Sequence, residues 1–335
     1  MGPMRIVDMH THALSRRVDP LLAGRTSPGG NPYVRDMPPE SRATDAEQAK
    51  RLPGRMLDVD QRRAEMQRMG VDVQVIAPAP AQQNYWADEE TLVAISRVQN
   101  EDIAGLVARS PGQFVGLGTL PMRFPDRAIA EAAHAVEELG LVGFQIDTRV
   151  EERELSDAAF DRLYARLAAL RAPLFIHPLG FSHGERLGPY FMVNSVGQPL
   201  EETIAINHLV FGGVLDRHPE LNVVIAHGGG YFPFYAGRFD HAWKVRPEVR
   251  RLIPKPPSSY LRRLWFDTCV FRPDLIEVLV AMVGADQVMM GSDVPFDMGD
   301  LNPVQLVQQT RLPDADKRKI LSENATALFK IGHRH

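Results

Sequence analysis

Val7-Asp8-Met9-His10-Thr11-His12 follows directly on the first apolar run of the chain, Met4-Arg5-Ile6-Val7. Side chains alternate between the two faces of an extended strand, so histidines two residues apart point the same way. Such a pair can hold one metal ion but cannot complete its shell. Three later runs end on residues of the same kind. Leu174-Phe175-Ile176 leads into His177, Val223-Val224-Ile225-Ala226 into His227, and Val288-Met289-Met290-Gly291-Ser292 into Asp293. Each run is short and apolar, as buried strands are. Each finishes on a side chain that binds metals or moves protons.

Between these runs the pattern switches repeatedly from strand to helix. Strands are expected at 4–9, 71–76, 114–118, 142–146, 174–177, 223–227, 264–268 and 288–291. Helices are expected at 58–69, 88–109, 125–139, 157–170, 199–216, 232–252, 273–283, 303–310 and 314–329. Asp58 and Ser156 are positioned as N-caps, and Gly70 as a helix stop. Residues 13–56 show no sustained period and read as a long loop after the first strand. Long loops of this kind are commonly lids, and this one leaves from the two histidines. Eight alternations of strand and helix imply a parallel sheet closed as an α/β (β/α)8 TIM barrel, one domain over 1–335. Active sites of such barrels lie at the C-terminal ends of the strands. His10, His12, His177, His227 and Asp293 would therefore meet at one mouth. His134, His183, His208, His218 and His241 lack a strand-end position and read as ordinary; His333 and His335 lie in the tail.

Composition sets the outer limits. The chain has 335 residues, 44% apolar and 24% charged, with a net charge of -4, which gives no general attraction to nucleic acid or anionic membranes. Its one cysteine, Cys269, cannot form an intrachain disulfide. A metal would be held by histidine and carboxylate. No basic leader followed by an apolar run opens the chain, and no apolar stretch reaches the roughly 20 residues of a membrane span. A cytoplasmic protein is expected.

Taken together, several motifs resemble the amidohydrolase superfamily, in the branch typified by α-amino-β-carboxymuconate-ε-semialdehyde decarboxylase. They are Asp8-Met-His-Thr-His12, Gly70-Val-Asp-Val-Gln-Val75, His177-Pro178, His227-Gly-Gly-Gly230, Gly237-Arg-Phe-Asp-His-Ala-Trp243 and Gly291-Ser-Asp-Val-Pro-Phe296. The resemblance implies one divalent metal, usually zinc with manganese the other choice, on His10, His12, His177 and Asp293, and no organic cofactor. It implies that His227 is the acid/base that activates a water on that metal, with Asp293 also part of the catalytic centre. It implies a homodimer, and a substrate carboxylate held by Arg238, within its own subunit or across to its partner. A second such arginine belongs in the loop before the first helix, where Arg51 is nearest and Lys50 or Arg55 could serve. The stretch Gly188-Pro-Tyr-Phe-Met192 departs from the branch's pattern. Phe296 and Trp86 are candidate pocket walls. The reaction so implied is decarboxylation of a small unsaturated or aromatic carboxylic acid. The same apparatus could hydrolyse an amide or lactone or, more remotely, hydrate a double bond; a barrel without catalysis would serve as a binding protein or scaffold.

Overall fold

The computed structural model describes residues 4–28, 30, 35, 37–179 and 184–332. Eight parallel strands succeed one another around a single sheet in chain order. They are β1 (Val7–Ala13), β2 (Val73–Pro78), β3 (Phe114–Gly118), β4 (Gly143–Ile146), β5 (Leu174–Ile176), β6 (Val223–Ile225), β7 (Leu264–Asp267) and β8 (Val288–Met289). The last edge meets the first. Met9 N–H donates to the Met290 carbonyl at 2.9 Å, Asp293 N–H to the His10 carbonyl at 2.9 Å, and His12 N–H to the Val294 carbonyl at 3.0 Å. The expected alternation and barrel are therefore borne out.

Period-2 patterning sorts the apolar side chains into two cores. Val7, Met9, Val73, Val75, Leu117, Phe175, Val224 and Met289 pack together inside the barrel, where Ala325 and Phe329 join them. The alternate positions, among them Ile76, Phe144, Ile146, Leu174, Ile176 and Ile225, pack outward against the helices. At β1 this alternation is broken once. Asp8 pairs with Gln74 and Thr11 with Ile76, so β1 spends one residue more than β2 over that step. A bulge of this kind re-aims the side chains on its C-terminal side. Val7 and Met9 face the interior before it, and His10 and His12 face the interior after it; the His10 ring lies 4.9 Å from that of Phe175.

Asp8 and Ser292 fix this edge from behind. The buried Asp8 carboxylate accepts from the Ser292 amide at 3.0 Å and the Ser292 hydroxyl at 2.5 Å. Burial pushes this carboxyl up to about 7 even against those bonds. Arg62, also buried, donates to the His12 carbonyl at 2.5 Å and to Gln74 at 3.0 Å.

The expected loop over 13–56 is corrected. Residues Pro39–Leu57 form a helix, α1, with Pro39 in its first turn. Its Ala, Glu, Gln, Lys, Arg, Leu and Met residues favour helix intrinsically. Only Met56 is buried, so no apolar stripe announces it. The helix nevertheless lies over the barrel mouth, as a lid would. The next helix, α2 (Val59–Met69), starts where expected: the Asp58 side chain accepts from the amides of Asp60 and Gln61, and Gly70 ends it at φ +73°. Farther on come α3 (Glu89–Arg109), α4 (Pro125–Glu137), α5 (Asp161–Leu170), α6 (Gln198–Phe211), α7 (Ala236–Val245) and α8 (Pro273–Val283). Before α5 the cap is Asp157, which accepts from the Ala159 amide. Ser156 instead faces His208 at 3.0 Å.

Replacing Ser292 by Ala leaves a buried carboxylate short of a donor, which costs about 1–3 kcal/mol. The urea midpoint of Ser292→Ala is expected to fall accordingly, and an unchanged midpoint would contradict the role given to this edge.

Candidate active site

The barrel mouth gathers all five residues read from the strand ends. Asp293 sits at the centre, in left-handed backbone at φ +61°, 7% exposed. Its Oδ1 lies 3.4 Å from His10 Nε2, 3.2 Å from His12 Nε2 and 3.9 Å from His177 Nε2. His10 Nε2 and His12 Nε2 are 3.1 Å apart. Its Oδ2 faces a different imidazole, with His227 Nε2 at 3.5 Å. His227 too is held at positive φ, +49°. Non-glycine residues persist in that conformation where the surroundings over-determine them, as at functional sites.

These separations suit a shared cation. Atoms about 2.1 Å from one ion lie roughly 3–4 Å from each other. Asp293 Oδ1 and His177 Nε2 are both buried without a hydrogen-bond partner, a costly state that an ion would relieve. The tautomers agree. His177 Nδ1 lies 2.8 Å from the Pro178 carbonyl and His10 Nδ1 lies 2.7 Å from Asp267 Oδ2, so a hydrogen on each Nδ1 leaves the Nε2 of His177 as a lone pair toward Asp293 and the Nε2 of His10 as the position that titrates. The group whose ligand atoms all fall within 4.8 Å of one another is His10, His177, His227 and Asp293, with His227 where the expected set has His12. A second cluster, His10, Asp267 and Cys269, reads as support for His10 rather than a metal site. Burial pushes the Cys269 thiol well up, and His10 Nδ1 is already taken by Asp267.

Two supporting carboxylates were not among the sequence candidates. Asp267 ends β7 on the same pattern as the other strand-end residues, so its signal was present. It also accepts from the amides of His227 at 3.0 Å and Gly228 at 2.9 Å. Glu202 stands in the second turn of α6, with its Oε1 2.6 Å from His227 Nδ1, and nothing in the sequence distinguishes it from a surface acid. The glycine run lets these two meet. Gly230 has φ +59°, and a Cβ there would fall 2.1 Å from the Pro199 carbonyl oxygen. Only glycine allows the turn after β6 to press so closely on the start of α6.

The electrostatics divide the histidines. Burial opposes charge on all of them. At His177 it wins and lowers the imidazole to about 3, and His12 is lowered too. At His10, Asp293 and Asp267 overcome it and raise the imidazole to about 9. At His227, Glu202 and Asp293 overcome it and hold the imidazole well above its usual range. Asp293 is itself held well below the carboxylate range: burial resists, but His10, His12 and His177 outweigh it.

Beside Asp293 and His177 lies a cavity of about 250 Å³, walled by Asp45, Gln48 and Leu52 of α1, by Asn194 and Gln198, and by Phe296. The Phe296 ring is 5.3 Å from that of His12. Trp86 lines a neighbouring cavity instead. Arg51 and Arg238 are exposed, and neither lines the metal-side cavity. Arg55 is committed to Glu65 at 2.7 Å, and Lys50 to Glu47. Tyr190, in the stretch that departs from the branch pattern, is 90% exposed. His134, His208 and His218 pair with nearby polar groups on the flanks. His183, His333 and His335 lie outside the described residues.

The amidohydrolase family pattern matches residues 7–331. The chain belongs to the amidohydrolase family. A 2-amino-3-carboxymuconate-6-semialdehyde decarboxylase of Dictyostelium discoideum is 35% identical over 270 residues, 80% of this chain and 75% of that protein. A gamma-resorcylate decarboxylase of a Polaromonas species is 29% identical, over 84% of this chain and 90% of its own. The crystal structure of a 5-carboxyvanillate decarboxylase from Sphingomonas paucimobilis superposes with a TM-score of 0.85 at 25% identity, covering 98% of this chain and all of that one. Carboxy-lyase activity is consistent with these relatives and with an amidohydrolase site built this way. No helix among the described residues is long and apolar enough to cross a membrane.

The charge pattern fixes how metal uptake depends on pH. His12 and His177 are bare at neutral pH and Asp293 is ionised, so a cation held by His10, His12, His177 and Asp293 displaces one proton, that on His10 Nε2. Apparent Zn²⁺ affinity is expected to rise about tenfold per pH unit from about pH 7 until His10 has titrated, near pH 9. Chelator competition across this range measures it; a flat profile would contradict the assignment.

Proposed function

We propose that this single-domain amidohydrolase is a metal-dependent carboxy-lyase acting on a small unsaturated or aromatic carboxylic acid. The observation that carries the reading is the split of Asp293. One oxygen faces His10, His12 and His177, and the other faces His227. In this reading the first three histidines and Asp293 hold one divalent ion, zinc or manganese, both compatible with imidazole and carboxylate donors. When bound, such an ion supplies a Lewis acid and lowers the pKa of a water at the site toward 7.

His227 is the proton carrier. Glu202 holds its Nδ1, which turns Nε2 toward Asp293 and the reacting space. Loss of carbon dioxide breaks a carbon–carbon bond and leaves an electron pair on the substrate carbon, which must take a proton. Nε2 of His227 exchanges that proton, directly or through a water, while Glu202 stabilises the imidazolium. Phe296 and the α1 residues keep bulk water from the ring or diene. Arg238, exposed and without an ion pair among the described residues, fits a role across a homodimer interface better than one in its own cavity. Arg51, next to Leu52 of the cavity wall, could reach a carboxylate at its rim. In this reading the enzyme acts in the cytoplasm.

Release of carbon dioxide separates this reaction from hydrolysis and hydration. Metal-loaded protein is expected to release it from α-amino-β-carboxymuconate-ε-semialdehyde or from a hydroxybenzoate. His227→Asn should lower kcat by about 10²–10⁴ with metal content kept, whereas Asp293→Ala should lose both metal and activity. Release that survives His227→Asn undiminished would overturn the role given to His227. No release from any of these acids by the metal-loaded protein would favour hydrolysis.

A further inference from the structure

Strand β4 ends on Ile146, whose carbonyl accepts from the His177 amide at 2.9 Å. Donors along a parallel ladder follow at every second residue, so the next one after His177 is Leu179. Its amide meets a side chain in place of a backbone carbonyl: it donates to Asp147 Oδ1 at 3.1 Å. The same oxygen accepts from the Thr148 amide at 2.7 Å and the Thr148 hydroxyl at 3.0 Å. Asp147 therefore stands just past a strand end, as the ligands do, yet it is absent from the group of ligand atoms around Asp293. It lines a neighbouring cavity of about 540 Å³, which shares Leu179 with the metal-side one. The mechanism makes no use of it.

The Leu179 N–H and the Pro178 carbonyl belong to one peptide unit. That peptide is trans, so its N–H and C=O point in opposite directions. One edge meets Asp147 and the other meets His177 Nδ1, at 2.8 Å. Hydrogen bonds in series polarise one another. A charge at Asp147 draws on the amide hydrogen, makes the Pro178 oxygen a better acceptor and holds the hydrogen of His177 on Nδ1. Metal-binding histidines commonly give that hydrogen straight to a carboxylate or a carbonyl, which fixes the tautomer and makes the other nitrogen a better donor to the metal. His10 does so with Asp267. We propose that Asp147 is the corresponding positioning residue for His177, acting through the Pro178–Leu179 peptide to keep Nε2 bare and aimed at Asp293. Burial, with Glu201 adding to it, pushes the Asp147 carboxyl up to about 7, so the charged form predominates above neutrality. The proposal rests on the metal-dependent reading, in which His177 is a ligand of the ion.

Histidine-selective ¹⁵N NMR of the full chain at pH 8, before and after zinc loading, reads the tautomer, and His177→Ala assigns the His177 signals. The native chain is expected to carry the His177 hydrogen on Nδ1 in both states. Asp147→Asn keeps an oxygen for the Leu179 amide and loses the charge. Its Nδ1–H proton should move upfield, and its zinc affinity, by chelator competition, should fall about fivefold, the difference between a charged and a neutral acceptor. In Asp147→Ala the hydrogen should divide between Nδ1 and Nε2 in the metal-free protein, and zinc affinity should fall about 10–100-fold, with the His10 signals unmoved. A mere cap of the turn would leave Asp147→Asn like the native chain, so native signals with native affinity in that variant would overturn the proposal. Equal shifts at His10 and His177 would also overturn it, because they mark general loosening. If His177→Ala binds zinc as tightly as the native chain while the tautomer still shifts in Asp147→Ala, the positioning role stands and the ligand set falls.

Discussion

The structure turns on one buried carboxylate placed among four imidazoles. Asp293 is ionised because the histidines around it hold it so, and two of those histidines hold their protons in turn, His10 because of Asp293 and Asp267, His227 because of Glu202 and Asp293. Without a cation this mutual arrangement leaves Asp293 Oδ1 and His177 Nε2 buried and unbonded. Proteins keep such a state where a function needs it. The remaining apparatus serves to hold these five side chains against their own strain and desolvation. The bulge in β1 turns His10 and His12 inward, Asp8 and Ser292 lock the seam between β1 and the segment after β8, and Asp267 and Glu202 set which ring nitrogens are free.

The division of labour between the two oxygens of Asp293 gives the site its chemical direction. On one side Asp267 orients His10 and the Pro178 carbonyl orients His177, while His12 and His177 offer lone pairs and His10 offers one when its proton leaves. One on the other side is backed by a buried glutamate and offers a proton. Arrangements in which environment separates the protonation states of similar groups mark acid/base assignments. His227 stands at the edge of the set, at the turn after β6, with its side chain 11% exposed.

Much of this is legible in the sequence because a parallel barrel writes its active site at strand ends. His10, His12, His177, His227 and Asp293 each end an apolar run, and the structure brings all five to one mouth. Asp267 obeys the same rule, but an acid at the end of a run is a weaker signal than a histidine, because aspartate also favours turns and caps. Other parts have no local signal. The bulge at β1 is visible only in its pairing with β2. Glu202 is one acid among several on a helix surface, and its partner lies 25 residues away. Helix α1 buries almost nothing of its own, so apolar periodicity cannot tell it from loop. Arg51 and Arg238 rest on resemblance, and in a single chain they lie outside the cavity they would serve.

Anomalous diffraction from crystals of the protein soaked with a slight excess of zinc tests the central assignment most directly. The account predicts one strong peak, about 2.0–2.2 Å from Nε2 of His10, His12 and His177 and from Asp293 Oδ1, with Nε2 of His227 farther off and free to exchange its proton. A peak bonded to His227 in place of His12, a peak on Asp267 and Cys269, or two peaks at the mouth would contradict it.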